Sequence, residues 1–305
     1  MADYLNNRRN FIKNISLGGA ALSLGQGLIT SATPSEELII LHTNDVHSHI
    51  HAFEKNHSRY AGAGGAIKRS LLIDSYRKQY KNILLLDAGD IFQGTPFFNF
   101  YGGELEMKLM TKMGYDAATL GNHDFDGGID GLLKAKKYGK FDFLNANYVI
   151  ENELKNIVKP YKIFKKGKIK VGVFGIGIEL EGLVDPKLCA GIIYTEPISK
   201  ANKIATHLKE KMECDYVICL SHLGLKYESD KVSDITLANN SQHIDLIIGG
   251  HTHSFLDEPL RLKNINGEET LVSQAAWAGL RLGIVKVEFT KELKTSAGIT
   301  TKVLI

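Results

Sequence analysis

Short runs of isoleucine, leucine and valine alternate with helix-like segments along this 305-residue sequence, and this alternation constrains the fold more than any other feature. Most of the runs are nearly continuous in apolar residues, which is typical of strands that are covered on both faces. The pattern predicts an α/β fold. The predicted strands are 38–42, 83–87, 117–120, 168–176, 216–220, 245–248, 270–274 and 283–289.

One of the intervening segments has a clear predicted buried face. Ile67, Leu71, Leu72 and Tyr76 are three to four residues apart, so they share one side of a helix. We therefore expect this side of the helix to pack on the sheet.

The composition is that of an ordinary globular protein. Hydrophobic residues make up 44% and charged residues 23% of the sequence, which indicates neither a disordered nor a membrane-embedded chain. A formal net charge of +3 leaves no large basic field for binding a nucleic acid polymer or a membrane surface. Cys189, Cys214 and Cys219 are too few for a disulfide framework, although one bridge remains possible; we expect reduced, buried thiols.

The first 32 residues have the features of an export signal. Arg8 and Arg9 precede a weakly apolar run over 15–29, and the small residues at 30–32 suit a signal peptidase. The run is shorter than the roughly 20 apolar residues that span a bilayer. The paired arginines resemble a bacterial twin-arginine signal, with a general secretory signal as the alternative. We therefore expect a periplasmic protein without a stable membrane anchor and one mature domain, residues 33–305.

Side chains suited to metal ligation follow five of the predicted strands. Ligands of open α/β sheets gather just past the carboxyl ends of the strands. Asp45 and His47 are two residues apart, so in extended backbone their side chains would project the same way and could grip one cation together. The candidate ligands are Asp45, His47, Asp90, Asn122, His222, His251 and His253.

This mixture of nitrogen and oxygen donors favours Zn, Mn, Fe or Co over Ca or Mg, which prefer all-oxygen shells. Seven donors are too many for one tetrahedral ion. If one carboxylate bridges, the set fills two four-donor shells with room for water, which is the two-metal arrangement used for in-line displacement at phosphorus. Each motif is weak by itself, but their ordered recurrence at successive strand ends argues against chance.

With these residues in view, the sequence resembles the calcineurin-like metallophosphoesterases, and within them the catalytic domain of the 5′-nucleotidase group. The resemblance implies a four-layer α/β/β/α sandwich with a dinuclear site at the carboxyl ends of the strands. It also implies two divalent cations, whose identity stays open among Zn, Mn, Co and Fe. The matching stretches are LHTNDVHSH, LLLDAGDIFQGTPFFN, GYDAATLGNHDFDGG, SHLG, GGHTH and VSQAAWAGLRLG.

The resemblance also implies a role for each candidate residue. His123 would lie near the metals without ligating them and would pair with Asp126 as a catalytic dyad acting on a phosphoryl or leaving oxygen. Asp124 is a competing partner of His123, and the preference for Asp126 comes from the family pattern rather than from spacing. The implied ligands are Asp45, His47, Asp90 and His253 for one metal and Asp90, Asn122, His222 and His251 for the other, with Asp90 bridging.

The resemblance implies an exported phosphomonoesterase that is 5′-nucleotidase-like and releases phosphate from nucleotides. Full-length members of the group carry a C-terminal nucleotide-binding domain, whereas this sequence ends at Ile305, soon after the last predicted strand. We therefore expect either a broad phosphomonoesterase or a catalytic subunit that needs a separately encoded substrate-binding chain. The alternatives are a cyclic-nucleotide phosphodiesterase, a sulfur-ester hydrolase and a non-catalytic metal-binding protein. The intact His123 and Asp126 argue against the last of these.

Overall fold

A computed structural model describes residues 36–289 and the backbone of residues 297–304. The predicted export signal, residues 1–32, lies outside the described residues. In chain order, the strands are β1 (Glu36–Thr43), β2 (Ile83–Asp87), β3 (Ala117–Ala118), β4 (Asp142–Leu144), β5 (Tyr148–Ile150), β6 (Val158–Lys159), β7 (Tyr161–Lys166), β8 (Ile169–Ile176), β9 (Ile192–Tyr194), β10 (Tyr216–Ser221), β11 (Leu246–Ile248), β12 (Leu260–Lys263), β13 (Glu269–Ser273), β14 (Arg281–Phe289) and β15 (Ala297–Leu304).

Six α-helices lie within the described part of the chain. None of these helices has the length and apolar character that crossing a bilayer requires. The helices are α1 (Ala66–Gln79), α2 (Pro96–Tyr101), α3 (Glu104–Met113), α4 (Gly128–Lys136), α5 (Pro197–Thr206) and α6 (Asp234–Asn239).

The strands form two main sheets. The first has the order β15-β14-β1-β2-β3-β4-β6, in which β1, β2, β3, β4 and β6 are parallel. The second has the order β12-β13-β11-β10-β8-β7, in which β8, β10, β11 and β13 are parallel. The parallel strands of each sheet bring their carboxyl ends to one edge, where the candidate ligands follow them.

Hydrophobic side chains point alternately to the two faces of each strand and form three layers of core. In β1, Ile39 and Leu41 pack in a core shared with helices α1, α3 and α4, whereas Leu38 and Ile40 pack in a core shared by both sheets. In β10, Cys219 faces a third core that includes residues of α5 and α6. Because every strand side chain points to one face or the other, this pattern sandwiches two sheets between two layers of helices. The predicted α/β/β/α architecture is confirmed.

The predicted buried face of helix α1 is wrong in part. Leu72 and Tyr76 pack against the core as expected, but Ile67 is 78% and Leu71 65% exposed. The fully buried residue at this position is Ile73. Hydrophobic spacing predicts an apolar stripe along the helix, but α1 has two overlapping stripes. Only contacts with the sheet and with α3 determine which stripe is buried.

All three cysteines are free thiols. Cys214 and Cys219 are buried as expected, whereas Cys189 is only half-buried. The core of this protein therefore forms without a disulfide bridge among these residues.

Candidate metal centre

The candidate ligands meet at one edge of the two sheets. Asp45 and His47 follow β1, Asp90 follows β2, and the remaining four residues follow β3, β10 and β11. Two groups of three side chains each bring their donor atoms within 4.8 Å of one another. The groups are Asp45, His47 and His253, and Asp90, His222 and His251.

In the first group, two imidazole nitrogens face one carboxylate. Asp45 Oδ1 lies 3.4 Å from His253 Nε2 and 3.9 Å from His47 Nε2, and the two Nε2 atoms are 3.1 Å apart. The Nδ1–H of His47 donates to the carbonyl oxygen of Phe92 at 3.2 Å. In this tautomer, the Nε2 lone pair of His47 points into the group. A cation bound there would compensate for the close approach of these nitrogen and oxygen acceptors.

The second group contains a buried nitrogen without a hydrogen bond. The Nδ1–H of His222 donates to the carbonyl oxygen of Ala88 at 2.7 Å, while Nε2 is buried and lies 3.1 Å from Asp90 Oδ2 without making a hydrogen bond. His251 Nδ1 lies 2.9 Å from Asn122 Oδ1. A buried nitrogen without a hydrogen bond, lying beside a carboxylate, is suited to ligating a cation, so these residues fit a divalent metal.

Asp90 lies between the two groups. Its Oδ2 is 3.1 Å from His222 Nε2 and 3.8 Å from His47 Nε2, so one oxygen atom approaches a ring of each group. Its Oδ1 accepts the backbone N–H of His123 at 2.8 Å, which fixes the orientation of the carboxylate. This is the position that a bridging ligand requires.

The pKa shifts at the site indicate two neutral imidazole rings and one charged pair of side chains. Burial lowers the pKa of His47, and it lowers that of His251 to about 4, so both rings are neutral at neutral pH and offer a lone pair. Burial opposes the charge of Asp90, but His222 and then His47 lower its pKa. Burial likewise opposes protonation of His222, but Asp90 raises its pKa to about 10. His222 and Asp90 thus form a buried ion pair 3.1 Å apart, in which a divalent cation would replace the proton on His222.

Five of the seven candidate ligands have left-handed backbone conformations, with φ between 49° and 69°. Residues other than glycine rarely adopt this region, and such conformations cluster at functional sites. The expectation that Asp45 and His47 converge through extended backbone is therefore wrong, because their φ angles are 49° and 50°. The turn still brings both side chains into the same group. The five residues are Asp45, His47, Asp90, His251 and His253.

The predicted dyad lies beside this centre. His123 Nδ1 is 2.8 Å from Asp126 Oδ2, and the His123 ring lies edge-on to His47 with ring centroids 5.3 Å apart. Burial opposes protonation of His123, but the Asp126 hydrogen bond and the charge of Asp90 raise its pKa. The ring is partly exposed, so it can contact both solvent and a bound ligand.

Asp124, the competing partner of His123, has a different set of contacts. Its carboxylate accepts four backbone N–H groups, which tie the loop after β2 to the loop after β3. Asp124 is 1% exposed. It therefore supports the loop that carries Asp90 rather than orienting the His123 ring. The four donors are Asp90, Ile91, Phe92 and Gly121.

Sequence comparison identifies the family. The family model described as calcineurin-like phosphoesterase matches residues 38–255. The chain belongs to this family. The resemblance predicted from the motifs is thus confirmed.

Several curated proteins similar to this phosphoesterase are 5′-nucleotidases. The chain is 33% identical to the snake venom 5′-nucleotidase of Gloydius brevicauda over 294 residues, which cover 88% of this chain and 47% of that protein. It is also 33% identical to the 5′-nucleotidase of Vibrio cholerae, over 82% of this chain and 45% of that protein. The chain therefore spans about half the length of the curated relatives it matches.

A solved structure agrees with the fold described above. The 5′-nucleotidase precursor from Thermus thermophilus superposes on this phosphoesterase with a TM-score of 0.79 at 31% sequence identity. The match covers 88% of this chain and 55% of that structure.

Asn44 is a supporting residue of this phosphoesterase that the sequence reasoning missed. Its Nδ2 donates to Asp45 Oδ2 at 2.6 Å and to the carbonyl oxygen of Ala276 at 2.6 Å, and its Oδ1 accepts the N–H of Ala275 at 2.7 Å. The side chain thus connects the loop after β1 to the segment before β14. The available signal was its position beside Asp45, but the partner segment lies more than 200 residues away in the sequence.

Proposed function

We propose that this chain is a two-metal phosphoester hydrolase, 5′-nucleotidase-like in releasing phosphate from nucleotides. The observation that carries this proposal is the position of Asp90 between two donor groups, with the His123–Asp126 pair beside them. The names of the relatives support nucleotides as the substrate class. The mixed donor set supports Zn, Mn, Co or Fe as the cations.

The proposed ligand assignment follows the two groups. Asp90 contributes to both shells, and Asn122 joins the second because its Oδ1 approaches His251. The first cation is assigned to Asp45, His47, Asp90 and His253, and the second to Asp90, Asn122, His222 and His251.

The two divalent cations, when bound, would supply an activated water and offset the negative charge of the phosphoryl group. The chain itself supplies His123, whose Nδ1–H donates to Asp126, so that its Nε2 is left for a phosphoryl or leaving oxygen. The raised pKa of His123 favours a proton at this nitrogen. His123 can therefore donate a hydrogen bond or a proton to the leaving oxygen.

A His123→Asn variant tests the proposed dyad. We expect hydrolysis to fall by roughly 10²- to 10⁴-fold, because a general acid is lost, while the bound metal content stays near that of the wild-type protein. The matched control is His243→Asn, which lies outside the site and has a φ of 61° that asparagine tolerates. Unchanged hydrolysis in His123→Asn at full metal occupancy would rule out the role given to this ring.

A substrate screen separates the alternative activities. The metal-loaded protein is assayed with nucleoside mono-, di- and triphosphates, cyclic nucleotides, a simple phosphate ester and a sulfur ester. Preference for monophosphates supports the proposal, whereas preference for cyclic nucleotides indicates a phosphodiesterase and preference for the sulfur ester a different hydrolase. Metal binding without turnover of any of these would indicate a non-catalytic binding protein.

The requirement for a second chain is a separate part of the proposal. The proposed partner is a separately encoded substrate-binding chain that would contribute to the site. We expect the chain alone to turn over AMP and a simple ester slowly and without discrimination, and a partner chain to raise the rate with AMP. A micromolar KM for AMP measured with the chain alone contradicts the need for a partner.

Export to the periplasm also remains a proposal. Residues 1–32 are proposed as a cleaved twin-arginine signal, with 33–305 as the mature catalytic domain. The paired Arg8 and Arg9 support this. Fusion of residues 1–32 to a folded reporter should place it in the bacterial periplasm, and an R8K/R9K double variant should retain it in the cytoplasm. Equal export of both fusions would favour the general secretory signal.

A further inference from the structure

Among the rings of His47, His253 and the neighbouring His222, that of His253 is the least restrained. Its side chain is 40% exposed, against 9% for His47 and 0% for His222. In His47 and His222, a backbone carbonyl accepts the Nδ1–H and fixes the ring. Within residues 36–289, no hydrogen bond reaches Nδ1 of His253. Besides Asp45 and the ring of His47, which lie on its Nε2 side, the ring of His253 makes a further aromatic contact.

That contact is the face of Trp277. The two rings are parallel, with an interplanar angle of 3° and centroids 5.5 Å apart. Trp277 is itself held by edge-to-face contacts with His49 at 5.5 Å, Phe53 at 6.1 Å and Tyr60 at 6.4 Å. The indole thus forms a fixed wall against which the imidazole of His253 lies.

The backbone around Trp277 is tied to both segments that carry the first group. The N–H of Ala278 donates to the carbonyl oxygen of Asp45 at 2.7 Å, and the N–H of Ala276 donates to that of Ser254 at 3.1 Å. Ala276 and Ala278 have left-handed φ angles of 63° and 53°. Trp277 lies between these two residues, and such unusual backbone conformations cluster at functional sites.

We propose that Trp277 is a positioning residue, which holds the ring of His253 in the orientation that binds the cation of the Asp45–His47–His253 group. The inference rests on the proposed function, because it requires that this group bind a metal. Contacts that orient a ligating histidine typically change metal affinity by roughly 10- to 100-fold. Aromatic stacking supplies that orientation here, where a hydrogen bond to the second ring nitrogen supplies it in His47 and His222.

Calorimetric titration of the chelator-treated full chain with Zn²⁺ tests the proposal. We expect two binding events in the wild-type protein. Trp277→Leu should weaken one of them by roughly 10- to 100-fold and leave the other unchanged, whereas Trp277→Phe, which keeps a stacking ring, should recover most of the loss. The control is Phe100→Leu, the loss of an aromatic ring that is 81% exposed, and it should bind as the wild-type protein does.

Thermal unfolding of the metal-free variants checks that each is folded, and the emission of Trp277, the only tryptophan in the sequence, reports on its own contact. In the wild-type protein, this emission should change during the binding event that Trp277→Leu weakens. A wild-type chain that binds none of Zn²⁺, Mn²⁺, Co²⁺ and Fe²⁺ overturns the proposed function itself. Two wild-type sites with unchanged affinities in Trp277→Leu overturn the inference alone, as does a loss in Trp277→Phe as large as that in Trp277→Leu.

Discussion

Replacement of Asp124 by asparagine should destabilise this protein strongly, although the two side chains have nearly the same size. Asp124 Oδ1 accepts the N–H groups of Ile91 and Phe92, and Oδ2 accepts those of Asp90 and Gly121, at 2.8 to 3.3 Å. An asparagine has one oxygen and one NH₂ group. In either orientation, two of the four backbone donors would face another donor.

The magnitude follows from the number of donors left without an acceptor. Each unsatisfied buried donor costs about 1–3 kcal/mol, so two of them lower the free energy of unfolding by about 2–6 kcal/mol. The control is Asp130→Asn, the same chemical change at an exposed residue in the first turn of α4. It should cost at most about 1 kcal/mol through the helix dipole.

Urea unfolding of the metal-free full chains measures both changes. The absence of metal separates the loss of hydrogen bonds from any loss of cation binding. An Asp124→Asn chain within about 0.5 kcal/mol of the wild type, the range of ordinary surface substitutions, would show that the four N–H contacts do not hold the two loops together.

Three further predictions concern the metal centre and the dyad. A Cβ at Gly121 would overlap the Asp90 carboxylate, so Gly121→Ala should abolish high-affinity metal binding in calorimetry. The control is Gly131→Ala in α4, where no atom lies within 4 Å of the added Cβ. This control should bind metal normally and unfold at an equal or higher temperature. Asp126→Asn removes a contact that raises the pKa of His123; because the protonated ring then persists only to lower pH, the alkaline limb of the kcat/KM profile should shift to lower pH, and an unmoved limb would contradict the pairing. Chelation should lower the Tm, since cations at 100 times their Kd stabilise the folded chain by about 2.7 kcal/mol; a Tm insensitive to chelator would contradict a metal centre in the native fold.

The strands were predictable because their apolar residues are consecutive and the strands are buried on both faces. The predicted strands at 38–42 and 83–87 correspond to β1 and β2. The strand predicted at 117–120 is shorter in the structure, because backbone pairing in β3 stops at Ala118. After that residue, Thr119 Oγ1 donates to the carbonyl oxygen of Leu144. Ends of strands depend on such cross-chain contacts, which local sequence does not contain.

Local sequence determined which polar residues follow each buried strand, and the sheet then brought these residues to one edge because parallel strands share a direction. The resemblance already implied that His251 and His253, two positions apart, belong to different groups. Only the tertiary structure decided which backbone turns place them there and that Trp277 faces the ring of His253. The physical reason is that these arrangements depend on left-handed turns held by contacts between distant segments, such as the hydrogen bond from Ala278 to Asp45. No spacing rule within either segment encodes that contact.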